Sequence, residues 1–403
     1  MMLTAIEPML PGQDGSLADL AIEVVKASAR LSGRVHPITA NVIADKLKII
    51  NSYYSNLIEG HSTHPYDIER AMQANYNQDA AKRALQLESQ AHIQVQDELL
   101  QLLVDAPDLA VSSGAFIRRI HASFYERLPD EFREVRDKKT GEVELVFPGQ
   151  YRKRLVEVGV HVPPDAELLD RYMARFEHVY QYDKLHGHSK LIAIAAAHHR
   201  LAWIHPFLDG NGRTIRLYTD ACFHRVGLDG YGLWTVSRGL AKRGDDYKSR
   251  LAGADAKRRG DLDGRGNLSL QGLTAFCRFF LEVCLDQATY MESMLQIDDL
   301  MTRIEGYVAM RGAGLIPGVT GTARLPEGVT PMLQAIILRG EMPRGEITKL
   351  SGYGERKARD LLATLLEEGL LASETPKGAV RFGLPVHAMA HLFPDLFPVF
   401  EQR

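Results

Sequence analysis

Residues 204–213 read IHPFLDGNGR and follow directly on the apolar run SKLIAIAAAHHRLAW. Ten positions hold a histidine, an aspartate, two glycines and an arginine. Asp209-Gly210-Asn211-Gly212 is good turn chemistry, so one reading is an ordinary corner between two helices. The other is a phosphate site with its own base.

The second reading accounts for more of the residues. If Gly210, Asn211 and Gly212 form the loop that opens the helix RTIRLYTDACF, the glycines let the backbone approach a ligand closely. The exposed N–H groups and the helix dipole then make an anion nest. Arg213 and Arg216 are three apart, so both guanidinium groups leave one helix face, and two forked cations suit a polyphosphate. Asp209 lies at the rim, where a hard carboxylate oxygen can hold Mg²⁺ between phosphates. His205 is the nearby group whose ordinary pKa suits proton transfer at neutral pH. Phe207 alternates with His205 and Asp209 and reads as the apolar anchor of the loop. Singly, these are a structural histidine, a turn and two solvated arginines. Together, within twelve residues, they specify transfer chemistry on a metal-bound nucleotide, with His205 activating a hydroxyl.

Composition narrows the alternatives. The 403 residues are 45% hydrophobic and 25% charged, enough for two or three globular domains. A formal net charge of −3 gives no global basic field for nucleic acid or acidic membrane. Cys222, Cys277 and Cys284 lack CxxC spacing and read as buried thiols in a reducing compartment. The N-terminus MMLTAIEPMLPGQDGS has no basic n-region or long apolar h-region, and LIAIAAA (191–197) is too short to span a bilayer. The expectation is a cytoplasmic protein without membrane contact. No GxxxxGK[ST] loop, HExxH or kinase signature set is present.

Four regions are expected: an N-terminal helical region (1–110), a core (111–290), a helix and linker (291–330) and a terminal unit (331–403). ITANVIADKLKIINSYYSNLIEG (38–60) and AAKRALQLESQAHIQVQDELLQLL (80–103) have helical periodicity. GQYRKRLVEVGVHVPP (149–164) alternates valines and is expected as a hairpin ended by Pro163-Pro164. Past the Gly- and Pro-containing stretch 311–331, PMLQAIILRG, PRGEITKLSG and GERKARDLLATLLEEGLL read as three short helices, and LASETPKGAVRFGL as a β-wing. That is a winged-helix pattern.

HPFLDGNGRTIR (205–216) closely resembles the signature of Fic-domain proteins, His-Pro-Phe-x-Asp/Glu-Gly-Asn-Gly-Arg-x-x-Arg, at every fixed position. The resemblance extends more loosely over 110–285 and implies a mainly α-helical core with a β-hairpin flap. It implies transfer of AMP from ATP–Mg²⁺ to a Ser, Thr or Tyr hydroxyl of a target protein, itself included, with release of pyrophosphate. On that resemblance His205 is the base, in a catalytic set with Asn211 and Arg213. Asp209 is the Mg²⁺ ligand. Gly210, Asn211 and Gly212 hold phosphate oxygens, and Arg213 and Arg216 bind the outer phosphates.

A second motif is SNLIEG (55–60), in which Ser55 and Glu59 share a helix face. Glu59 sits at a helix C-terminus, where the dipole disfavours an acid by up to ~1 kcal/mol, which points to a cationic partner. The stretch resembles the family's inhibitory helix motif, Ser/Thr-x-x-x-Glu-Gly/Asn, whose glutamate pairs with the second signature arginine, here Arg216. A carboxylate there would occupy Arg216 and repel a γ-phosphate.

The remaining expectations also follow the resemblance. VEVGVHVPP (156–164), by itself a surface hairpin, takes the place of the flap that aligns a target segment by main-chain pairing. Tyr247 and Leu251 border an adenine pocket, with Asp255 standing where related proteins often have Asn. The expected function is a protein adenylyltransferase restrained by Glu59. The alternatives are a deAMPylating hydrolase using Glu59 and His205, and a DNA-binding regulator whose core senses nucleotide. A homodimer is a further expected partner. Arg356, Lys357 and Arg359 could meet DNA phosphates, but 331–383 holds eight basic against seven acidic residues, which favours protein docking.

Overall fold

Helices start where side chains can take up free backbone N–H groups. The computed structural model describes residues 3–136, 141, 143–157, 159, 161–316 and 324–398. In it Asp79 accepts the N–H of Lys82 at 3.0 Å, and Ser113 that of Phe116 at 3.1 Å. Pro37 and Pro65 open their helices, where no N–H is needed. In chain order the helices are α1 Gly15–Ala29, α2 Pro37–Ile58, α3 Pro65–Met72, α4 Ala80–Asp105, α5 Gly114–Glu126, α6 Leu169–Val179, α7 Ser189–Ile204 and α8 Asn211–Arg225. They continue with α9 Val236–Lys242, α10 Gly244–Asp255, α11 Leu270–Met294, α12 Ile297–Ala313, α13 Val329–Arg339, α14 Arg344–Leu350, α15 Glu355–Glu367 and α16 Val386–Leu392. The strands are β1 Glu134–Arg136, β2 Val143–Leu145, β3 Glu341–Met342, β4 Leu371–Ala372 and β5 Val380–Phe382. The expected mainly helical class is what the structure has.

The chain divides into two compact units. The first comprises residues up to Lys26, Asn51–Tyr231 and Thr235–Gln287, and the second Ala27–Ile50, Gly232–Trp234 and the chain from Ala288 on. Residues 51–110, expected in an N-terminal region, thus fall with the core.

In the first unit α7 is buried nearly all round. Ala193, Ala195, Ala196 and Ala197 are at most 1% exposed, and Leu191, Ile194, Leu201 and Ile204 at most 3%. Small side chains let neighbours close in, and α8 packs along it. Phe116, Ile117, Ile120 and Phe124 of α5 and Tyr172, Met173 and Phe176 of α6 complete this core. Each such Leu, Ile or Phe contributes about 1.5–3 kcal/mol on burial. Since α7 and α8 are consecutive, their packing fixes the six residues between them.

The hairpin lies elsewhere than expected. β1 and β2 pair antiparallel with Val135 opposite Glu144, whereas residues 149–157 contain no strand. Val158 and Val160 of the expected flap lie outside the described residues. The backbone and side chains here serve a different partner. Arg152 donates its N–H to Pro206 O at 2.9 Å, and Gly149 N–H donates to His121 Nδ1 at 2.9 Å. Of the alternating valines that are described, Val156 is half-buried and Val162 is exposed.

In the second unit α13, α14 and α15 accompany an antiparallel sheet of order β3-β5-β4, with β3 between α13 and α14 and the hairpin β4–β5 after α15. Arg311 of α12 and Glu368 form an ion pair at 2.6 Å with both side chains 0% exposed. Removing one partner of a buried pair costs about 3–5 kcal/mol. Glu368→Ala is therefore expected to lower the urea midpoint by that equivalent, read on the transition of this unit. A shift under about 1 kcal/mol, the size of an exposed pair, would show that the pair holds nothing.

Candidate active site

The loop between α7 and α8 is held in shape by its own side chains. His205 ends α7 at φ 49°, ψ 63°, a left-handed conformation uncommon for residues with a Cβ. Its carbonyl accepts from Arg152 Nε at 2.9 Å. Arg152 also donates to Arg154 O at 2.8 Å and Pro164 O at 2.5 Å, so one buried guanidinium ties 154–164 to the loop. Asn211 clamps Phe207 through both amide atoms, accepting its N–H at 2.9 Å and donating to its carbonyl at 2.8 Å. Phe207 is fully buried and stacks on His121, with centroids 3.9 Å apart. Gly210 has φ 74°, and a Cβ there would meet the Tyr125 ring at 2.6 Å. The loop thus delivers the first N–H groups of α8 and the side chain of Asp209 to one place.

Asp209 is half exposed and accepts from Tyr125 Oη at 2.7 Å and Arg213 Nη2 at 3.3 Å. Arg213 is buried over the Phe124 ring at 5.0 Å and pairs with Glu88. Arg216, 2% exposed, is held chiefly by α2 and the turn that follows it, with Tyr247 of α10 beside it. Its Nε donates to Ser55 Oγ at 2.8 Å, and its Nη2 donates to Ser55 O at 2.9 Å and to Glu59 Oε1 at 2.6 Å. Asn51, Ser55 and Glu59 are each four apart, and so are Asp220, Arg216 and Gly212. Asn51 Nδ2 donates to Asp220 at 2.5 Å, so the two helices meet in antiparallel register, turn by turn. A Cβ on Gly212 would collide with the Glu59 carboxylate. Burial opposes the Glu59 charge, yet Arg216 and Arg213 hold its pKa below the ordinary glutamate value.

His205 is a weaker base than its residue type suggests. Burial first, then Arg152 and His161, depress its pKa to about 4, so it stands neutral across the physiological range. Burial likewise takes His121 to about 4. Tyr247, expected at a nucleobase, is buried in the core, its hydroxyl 2.8 Å from His198 Nε2. Thr219 Oγ1 gives its proton to Ile215 O, so His198 Nδ1 donates to Thr219 and Tyr247 donates to His198 Nε2. A cleft of about 950 Å³ beside the loop is lined by Leu155, His161, Trp203, Asp255 and Leu268, but not by Tyr247 or Leu251. Asp255 lies 3.2 Å from His199 Nε2 and 3.6 Å from His161 Nδ1.

No group of three or more metal-ligating side chains occurs among the described residues. One half-exposed carboxylate, Asp209, fits a divalent ion that brings phosphate and water as its other ligands, not a resident metal. Three contributors carry no motif in the sequence: Glu88, Arg152 and Tyr125. Only the last left a trace, since His121 and Tyr125 are four apart and share a face of α5.

Residues 113–222 match the Fic/DOC family. The chain carries a Fic domain. It is 34% identical over 114 residues to protein adenylyltransferase Fic of Drosophila grimshawi, covering 28% of this chain and 24% of that one. The corresponding Drosophila mojavensis protein is 33% identical over 114 residues, covering 28% and 23%. The chain thus spans about a quarter of the length of the curated relatives it matches. A Fic family protein from Desulfovibrio desulfuricans G20 superposes with TM-score 0.51 at 17% identity, covering 92% of this chain and 97% of that one. Fic-1 (residues 134–508) from C. elegans gives 0.53 at 14% identity over 70% and 74%. These likenesses establish the fold.

Two measurements test the site. A His205 ring followed by NMR is expected to stay neutral from pH 8 to 5 and to titrate near pH 4, because a depressed pKa keeps the free base until low pH. A midpoint near the ordinary value of about 6.5 would contradict the burial argument. Gly210→Ala is expected to destabilise the first unit by about 1–3 kcal/mol through its positive φ, plus the clash with Tyr125.

Proposed function

We propose that this chain is a protein adenylyltransferase that uses ATP–Mg²⁺ and is held off by Glu59. The reading is carried by one observation: Glu59 sits on Arg216, above Gly212, where a terminal phosphate would need both the guanidinium and the open backbone. The target hydroxyl oxygen attacks the α-phosphorus as its proton passes to neutral His205. The bond from that phosphorus to the β-bridging oxygen breaks, and pyrophosphate leaves. The N–H groups opening α8 take phosphate oxygens, while Asn211 keeps the loop rigid through Phe207. Mg²⁺, when bound with ATP through Asp209, would neutralise phosphate charge. Tyr125 and Arg213 hold that carboxylate in place.

The described helices include none long and apolar enough to cross a membrane, and a cytoplasmic location agrees with the buried free thiols. Residues 156–164 are read as the flap that presents the target segment. Residues 329–382 are read as a winged-helix unit. There Arg359 already pairs with Glu355 at 2.6 Å, and Lys357 lies 3.5 Å from the Tyr353 ring centroid, which favours docking or self-association over DNA. Removal of AMP is the second reading, because a glutamate beside His205 could orient a water.

With ATP labelled at the α-phosphate, Glu59→Gly is expected to label protein at least tenfold more than wild type, and His205→Ala not at all. A positioned base is worth roughly 10²–10⁴ in rate. If no variant transfers label but wild type strips a pre-AMPylated lysate, hydrolysis is the primary activity. Silence in both assays would leave a nucleotide-sensing regulator.

A further inference from the structure

Glu88 stands outside every motif of the chain, yet its carboxylate reaches two elements of the site. One oxygen pairs with Arg213 Nη1, and the other lies 2.7 Å from His61 Nδ1. Its side chain is 6% exposed and mid-way along α4, which is tied to α2 by Ser52 Oγ to Ser89 O at 3.0 Å and by Asn56 Nδ2 to Ser89 Oγ at 3.1 Å. Those bonds fix the stretch of α4 that carries it. Glu59, in the turn beyond α2, is the more exposed carboxylate, with 32% of its side chain in solvent.

His61 lies two residues past Glu59. Gly60, at φ 88°, closes α2, and the His61 N–H returns to Asn56 O at 2.9 Å, a helix-ending pattern that satisfies a carbonyl of the last turn. The His61 ring then reaches α4. A carboxylate paired with a guanidinium only accepts, so Nδ1 carries the proton and donates. Glu59 is therefore strung between the end of α2 and the His61–Glu88 contact.

We propose that Glu88 is a positioning residue that fixes Arg213 with one oxygen and, with the other, takes His61 as a latch that seats Glu59 on Arg216. The proposal rests on the reading of Glu59 as the restraint on nucleotide binding. The latch opens first when Glu59 withdraws, and Arg213 stays in place for the incoming phosphates.

The test uses the full chain, with His61→Ala and His61→Asn each placed in wild type and in Glu59→Gly. Mg–ATP affinity is read by calorimetry and AMP transfer by label. In wild type, His61→Ala is expected to tighten Mg–ATP binding and raise transfer roughly three- to tenfold, a modest effect because the His61 ring is half exposed. His61→Asn, whose Nδ2 sits where Nδ1 does, is expected to keep wild-type behaviour. In Glu59→Gly neither substitution changes binding or transfer. Equal effects in both backgrounds, or no effect of His61→Ala in wild type while Glu59→Gly is active, overturn the latch. If Glu59→Gly itself neither binds Mg–ATP more tightly nor transfers, the functional reading falls and the latch with it.

Glu88→Gln in Glu59→Gly keeps the shape and removes the charge. It is expected to raise KM for ATP about tenfold with kcat within about twofold, the pattern of lost ground-state binding. A fall in kcat at unchanged KM overturns the positioning role. If Glu88→Gln does not fold, the His61 series decides alone.

Discussion

Arg216 places a guanidinium where 2% of the residue meets solvent, and much of the first unit follows from keeping it there. An uncompensated buried charge costs several kcal/mol, so the fold must surround it with acceptors and a counter-charge. Ser55 of α2 and Glu59 in the turn beyond it do this, and α2 carries a buried polar stripe beside its buried Ile50, Tyr53 and Tyr54. Asn51, Ser52, Ser55 and Asn56 are all 5% exposed or less. Apolar packing gives no reason for that stripe. It is the complement of two helices: Asn51 meets Asp220 and Ser55 and Glu59 meet Arg216 on α8, with Gly212 leaving room for the carboxylate, while Ser52 and Asn56 meet Ser89 on α4. Asp220 marks the far end, its pKa pushed up to about 6 by burial against the bonds from Tyr231 and Asn51.

The same constraint explains what could be read from the chain and what could not. The loop 205–212 was legible because its residue types are dictated locally: a positive φ at Gly210, a self-clamping Asn211, a buried Phe207. Ser55 and Glu59 were legible as a spacing, since helical period alone puts them on one face. Glu88 was not. It sits in LQLESQAH, one acid among the polar residues of an amphipathic helix, and its role exists only because α4 packs beside α8. Arg152 was hidden for a related reason. The alternation that follows it reads as strand, but the Arg152 backbone and guanidinium groups bond to the loop carrying His205, a role that a period-2 pattern does not encode. The hairpin β1–β2 went unread because three-residue strands carry too little pattern.

Tyr247 shows a different limit. The family resemblance placed it at the nucleotide, and the fold buries it beside Arg216, donating to His198, which in turn donates to Thr219 on α8. Sequence spacing fixes which helix face a residue occupies, not whether that face meets the ligand or the core. The residues that line the cleft, Trp203, His161 and Asp255, come from three separate segments whose meeting depends on Arg152 and on the packing of α7 against α10.

Two buried guanidinium groups side by side cannot rest unpaired at no cost. Burial strengthens the attraction of Arg213 and Arg216 for an anion and, without one, sets two like charges against each other in a medium that screens them poorly. Glu88 and Glu59 both meet this need, and they differ in exposure. Glu88 is 6% exposed on α4. Glu59 is in a turn, partly in water, so its departure exposes little and breaks one ion pair. On the function proposed above, restraint by Glu59 would be the resting form of the electrostatics that would hold a triphosphate, because carboxylate and phosphate would compete for one guanidinium. On that proposal, a change that made Arg216 easier to leave bare would weaken the restraint and the nucleotide site together.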